Sequence, residues 1–123
     1  YNRLYDLTSA MLKAGYSVVV DAAFLRAGQR KPFIELTHER QIPFAILDVW
    51  APDEVLAQRI EWRAKNHTDA SDATLAVMEK QKAIQESLTE SERSKTIRID
   101  STDLKSIQSS LKGLLGKCGS MEI

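Results

Sequence analysis

Two groups of side chains in this sequence have the types and spacing to do chemistry. The first is Asp21, which ends the run Ser17-Val18-Val19-Val20 and is followed by Ala22, Ala23, Phe24 and a basic segment carrying Arg26 and Arg30. A short continuous apolar run reads as a strand buried on both faces, and in sheets of such strands ligands bind beyond the carboxyl ends. A carboxylate there can hold a metal ion through water, accept a hydrogen bond from a substrate hydroxyl, or fix a neighbouring loop. The plain alternative is that Asp21 caps the next turn. The second group is Arg59 and Arg63, four residues apart and so on one face of a helix. Guanidinium forks suit phosphate oxygens. Asn66, His67, Asp69, Ser71 and Asp72 follow in a polar loop that could carry the pair over a ligand. The alternative here is a solvated helix face with Glu54 and Glu61 as ion partners.

Other chemistry finds little support. His38 and His67 stand alone in polar surroundings, and no His/Cys/Asp/Glu spacing fits a zinc site. No metal ligand set is expected. G-x-S-x-G is absent, so an acyl-transfer hydrolase is poorly supported. The tail GLLGKCGS lacks both the spacing and the Ser/Thr of a phosphate loop. Trp50 and Trp62 read as packing residues.

Elements must position these groups. Leu4, Leu7, Met11 and Leu12 form a helical stripe within residues 1–14, with Gly15 as its stop. A helix over 29–40 tolerates Pro32 near its first turn. The run from Phe44 to Trp50 reads as a second buried strand, and Pro52-Asp53-Glu54 as a helix start, with acids where the helix dipole favours them. A further helix over 73–88 is capped from Asp69, Ser71 or Asp72. Thr96 to Asp100 is a third strand, and Ser101 or Thr102 caps a last helix. Strands alternating with helices predict an α/β fold with a parallel sheet of three strands, 17–21, 44–50 and 96–100, and flanking helices. The domain is expected over 1–115, with a frayed tail over 116–123.

The composition is that of an ordinary globular chain: 123 residues, one domain at most, 43% hydrophobic and 28% charged. Seventeen basic residues balance seventeen acidic ones, so no net field argues for nucleic acid or an anionic membrane. No apolar run has the length of a membrane span. The single cysteine, Cys118, cannot close an intrachain disulfide. Together these favour a cytoplasmic location. The chain starts at Tyr1, inside a helical pattern, which is expected of a piece of a longer protein.

The combined pattern is more specific than its parts. YNRLYDLTSAMLKAGYSVVVDAAFLRAGQR, IPFAILDVWAPDEVLAQRIEWR and DASDATLAVMEKQ together resemble the later two-thirds of P-loop small-molecule kinases. The nearest pattern is the zeta-toxin-like, polynucleotide-kinase-like module often fused to an aminoglycoside-phosphotransferase-like domain. The resemblance spans about residues 1–102, and D-A-x-F-L-x-x-x-x-R and D-A-S-D-A are its distinctive blocks. It implies a partial P-loop-kinase-like three-layer fold and transfer of the γ-phosphoryl of ATP, with Mg²⁺, to a small-molecule or nucleotide-like acceptor. It implies that Asp21 lies close to Mg²⁺ or the acceptor and that Arg26 and Arg30 line the acceptor side. Arg59 and Arg63 would neutralise charge on the transferring group. Asp69, Ser71 and Asp72 would shape the lid, and Asp100 and Ser101 would lie near the nucleotide base.

The departure from the family is large. The Walker A loop and the strands around it are not among these residues; they would precede Tyr1. Three expectations follow. Asp21 and the two arginines share a cleft. The chain alone binds ATP poorly and does not catalyse. The competing reading, a non-catalytic α/β interaction domain, would be favoured by a start codon beside Tyr1.

Overall fold

The chain folds as a mixed α/β structure with a small parallel sheet flanked by helices, and the computed structural model describes residues 1–66 and 74–119, with side chains as far as 114. In order, the elements are α1 (Asn2–Lys13), α2 (Ala27–Glu39), β1 (Ile46–Trp50), α3 (Asp53–Asn66), α4 (Leu75–Ile84), α5 (Glu90–Arg93), β2 (Thr96–Asp100) and α6 (Leu104–Gly119). They fall into two compact units. One comprises Tyr1–Phe44 with Ile84–Thr89; the other comprises Ala45–Ala83 with Glu90–Ile123. No helix among the described residues is long and apolar enough to cross a membrane.

In the first unit α1 packs on α2. Gly15 ends α1 as its position predicts. It takes φ 89°, its N–H donates to Leu12 O at 3.0 Å, and the Tyr16 N–H donates to Met11 O at 3.1 Å. These two bonds satisfy carbonyls that a helix end otherwise leaves open. The end of α2 repeats the arrangement without glycine. Gln41 N–H donates to His38 O at 3.1 Å and Ile42 N–H to Thr37 O at 2.8 Å, while Gln41 itself holds φ 54°. A side chain in this left-handed region costs about 1 kcal/mol that glycine avoids, partly offset by glycine's freer unfolded chain. Gln41→Gly should therefore raise the urea midpoint, by about 0.5–1 kcal/mol of stability; an unchanged or lower midpoint would contradict this account of the turn.

The run 17–21 corrects the predicted sheet. Among the described residues it pairs with no strand, and Val19 is 90% exposed. Three valines favour a pleated, half-buried surface only when a neighbouring strand provides one. Here they form a segment without regular secondary structure, and among the described residues the sheet has two strands rather than three.

That sheet belongs to the second unit. β1 and β2 are parallel, with Ile46 opposite Thr96 and Trp50 opposite Asp100. Ile99 is buried, as is Ala51 just past β1, and α6 packs on β2. Arg98 bridges to Asp48 across the strands at 3.6 Å and lies 5.0 Å from the Trp50 ring centroid. The start of α3 follows expectation: Val55 and Leu56 N–H groups donate to Pro52 O, and Asp53 and Glu54 occupy the first turn. Lys82 on α4 pairs with Asp53.

Both ends of α4 and both ends of α6 differ from the sequence expectation. Thr74 caps α4, its hydroxyl accepting from the Val77 N–H at 3.2 Å, and α4 stops at Ile84 rather than 88. Asp103, not Ser101 or Thr102, caps α6, accepting from Lys105 and Ser106 N–H at 3.0 and 3.2 Å. The helix α6 continues to Gly119, into the stretch expected as a tail.

Candidate functional site

The second unit gathers its candidate residues at the carboxyl end of the sheet, the end at which open α/β sheets take ligands. β2 ends at Asp100, and the chain turns through Ser101 and Thr102 before α6. Arg59, two turns into α3, reaches this turn. Its Nη1 donates to Ser101 Oγ at 2.9 Å and its Nη2 to the Ser101 carbonyl at 3.1 Å. A guanidinium has five N–H donors, so three remain for a ligand after these two bonds. The sequence reading assigned Arg59 and Ser101 to different roles; the structure brings them into contact.

Asp100 is held by the same turn. Its Oδ1 accepts from Thr102 Oγ1 at 2.6 Å and from Thr102 N–H at 2.8 Å. The hydroxyl bond first, then the backbone bond, keep the Asp100 carboxyl below the usual carboxylate range, with the charge of Arg59 adding to them and burial opposing. A carboxylate so held stays ionised near neutrality. It would repel phosphate and accept from hydroxyl or amino groups, so the turn offers an anion donor and an acceptor side by side.

Arg63 lies one turn beyond Arg59. With Val55, Gln58, Arg59 and Trp62 it lines a shallow hollow on α3. Trp62 is 60% exposed, which corrects its reading as a packing residue. Trp50 is likewise partly exposed. Asp69, Ser71 and Asp72, expected to shape the lid, lie outside the described residues, as does His67.

Asp21, Arg26 and Arg30 belong to the first unit. Asp21 is exposed at the end of an irregular segment, not of a strand. Arg26 is exposed at the N-cap of α2, its backbone N–H donating to Gln29 Oε1 at 3.0 Å. Arg30 differs: it is 6% exposed. Its Nη1 donates to Phe24 O at 2.9 Å and its Nη2 to Ser87 O at 3.2 Å. The resemblance implied that Arg30 lines the acceptor side; the structure shows it buried and bonded to backbone carbonyls. Phe24 itself holds φ 46°, its ring packed between Tyr1 at 5.3 Å and Phe33 at 5.1 Å.

Two residues at this loop escaped the sequence reading. Glu86 Oε2 accepts from the Ala27 N–H at 2.7 Å, and the Glu86 N–H donates to Leu25 O at 2.7 Å. Tyr1 Oη accepts from the Phe24 N–H at 3.0 Å. No local spacing signals either contact.

The donor set can be tested against a nucleotide and Mg²⁺. Arg59 and Arg63 suit phosphate oxygens, and Asp100 with Ser101 suits hydroxyl or amino groups. Mg²⁺ commonly takes one or two carboxylates and completes its shell with phosphates and water. Asp21 can supply one such carboxylate, and no cluster of three metal-binding side chains occurs among the described residues. The arginines of the second unit fit the phosphate oxygens of a nucleotide, and Asp21 in the first unit is a carboxylate of the kind Mg²⁺ takes.

A family model described as an AAA domain matches residues 1–88. No curated protein and no solved structure matches the chain.

Proposed function

The chain belongs to this AAA domain family, a family of P-loop, nucleotide-binding character, and from that premise we propose that it supplies the acceptor and charge-neutralising residues of an ATP-dependent kinase. The reaction in this reading is transfer of the γ-phosphoryl of Mg-ATP to a small-molecule or nucleotide-like acceptor, as in zeta-toxin-like and polynucleotide-kinase-like enzymes. A fused phosphotransferase-like domain belongs to the same reading, as does a cytoplasmic location. The phosphate-binding loop is not among these residues, so the main ATP grip is assigned to chain outside them.

One observation carries the reading: Arg59 stands at the carboxyl end of the sheet, fixed on Ser101 with donors to spare. Phosphoryl transfer asks little covalent chemistry of the protein and much positioning and charge stabilisation. ATP with Mg²⁺ supplies the transferable group. Arg59 and Arg63 meet charge growing on the equatorial oxygens. Asp100 and Ser101 accept from, and donate to, polar groups of the nucleotide. Asp21 would orient the acceptor hydroxyl or help hold Mg²⁺, and Arg26 would face the acceptor, while Arg30, buried on the Phe24 and Ser87 carbonyls, would serve that side only by holding the loop. Asp69, Ser71 and Asp72 keep the lid role that the resemblance implies. Calorimetric titration of Mg-ATP tests whether the main ATP grip lies outside these residues.

A second reading, a non-catalytic interaction domain, has its own observation. Among the described residues β1 pairs only with β2, and Val49 on that strand is 60% exposed. An open strand edge bearing apolar side chains is a surface to which another chain can add.

A further inference from the structure

The loop after Asp21 is held in a conformation its own sequence does not favour. Phe24 sits in the left-handed region at φ 46°, where a bulky side chain persists only if its surroundings hold it there, and such strain collects at functional loops. Groups distant in sequence take up its polar atoms. Tyr1 Oη accepts from Phe24 N–H, Arg30 Nη1 donates to Phe24 O, and Glu86 contributes two bonds. The backbone N–H of Glu86 holds Leu25 O, and its carboxylate holds the Ala27 N–H, the first residue of α2. Each distance to Glu86 is 2.7 Å.

The chemistry of that second bond is favourable for two reasons. The first amides of a helix have no partner within it, and the positive end of the helix dipole attracts a carboxylate. Arg26, at the N-cap, has no side-chain oxygen to accept from the helix amides. Glu86 therefore does from 59 residues away what a local Ser, Thr or Asp does in most helices. The same residue closes both ends of a three-residue stretch, Leu25 to Ala27, directly beyond Phe24.

We propose that Glu86 is a positioning residue: by bracing Leu25 and Ala27 it holds the 22–27 loop, and with it the placement of Asp21. The functional half of this inference rests on the kinase reading of Asp21; the conformational half does not. Glu86 touches no reacting atom in this account and acts only through the loop.

The test has two arms. Amide hydrogen exchange is followed by NMR in the wild type, Glu86→Ala and Glu86→Gln. The alanine variant should exchange the Ala27 N–H about tenfold faster or more, with Phe24 following, because the bond to the carboxylate is lost. Glu86→Gln keeps an acceptor oxygen at the same reach and should restore most of that protection. Amides of Phe33 to Leu36, inside α2, should stay near wild type. An unchanged Ala27 rate, or equal loss throughout α2, would overturn the positioning role. The second arm measures Mg-ATP consumption by the full-length protein. Glu86→Ala should lower kcat with little change in KM for ATP, Glu86→Gln should recover it, and full turnover in Glu86→Ala would overturn the link to Asp21. If Asp21→Asn also turns over normally, the kinase reading of Asp21 fails, while the exchange arm still judges Glu86.

Discussion

Replacing Arg59 with alanine should slow phosphoryl turnover by the full-length protein about a hundredfold, with a much smaller change in ATP affinity. The expectation rests on where the side chain stands. Its bonds to Ser101 fix the guanidinium at the carboxyl end of the sheet, so its remaining donors are oriented before the reaction begins. Charge on the transferring phosphoryl grows toward the transition state, and a donor aimed at that charge lowers the barrier more than it tightens ground-state binding. Loss of fold is not the expected cause. Both bonds to Ser101 are solvent-exposed, so their removal should cost only about 1 kcal/mol or less. Lysine at this position should recover little, because an ammonium cannot hold the serine and face a phosphate with one rigid fork. Steady-state kinetics alongside urea denaturation separates the two causes. A kcat within a factor of about two of wild type would remove Arg59 from the reaction.

Arg30→Ala should have the largest effect on stability, a loss of about 3 kcal/mol in the first unit. Leu36 is the only buried apolar side chain of that unit among the described residues; Arg30 and Thr8 are the buried polar ones. Arg30 donates to two carbonyls, one on the strained loop at Phe24 and one at Ser87. Truncation leaves both acceptors short of a charged donor at a buried position. Hydrogen bonds from a charged group contribute about 1.5–3 kcal/mol each, and a buried acceptor left open adds to the loss. Arg30→Lys should recover less than half, since one ammonium cannot span two carbonyls in a planar fork. Chemical denaturation measures this, and a midpoint shifted by less than about 0.5 kcal/mol would show that Arg30 is not the clamp its contacts describe.

What the sequence disclosed depended on how far each cause reached along the chain. The end of α1 was legible because Gly15 and its partners lie within five residues. The start of α3 was legible because proline and two acids stand together at positions 52–54. Strands β1 and β2 showed as apolar runs, and each found the other as a neighbour. The valine run at 18–20 looked the same on paper and found no such neighbour, so burial and pairing failed together. The true start of α2 could not be read locally, because the group that holds its first amide is Glu86. Ser101, Thr102 and Asp103 can each cap a helix, and only the path of the chain decides for Asp103.

The candidate site divides in the same way. Arg59 and Ser101 were both legible as polar residues near strand and helix ends, but their contact needs the parallel register that brings β2 beside β1. Arg30 carried the opposite signal. An arginine in a basic segment reads as exposed, and its burial follows from carbonyls presented by Phe24 and Ser87, neither visible as a partner beforehand. Trp62 was misread for a related reason: a tryptophan at helical spacing suggests core, but the face it shares with Arg59 and Arg63 is open.

The central claim is that these residues serve transfer while the triphosphate grip lies outside them. Exposed arginines contribute about 1 kcal/mol or less apiece to holding an anion, far from the roughly 8 kcal/mol of micromolar binding. Titrating Mg-ATP by calorimetry into residues 1–123, and into a longer chain that includes a phosphate loop, tests that claim most directly. The account predicts no saturation by residues 1–123 below about 1 mM and micromolar binding by the longer protein. Micromolar binding by residues 1–123 alone, or equally weak binding by both, would contradict it.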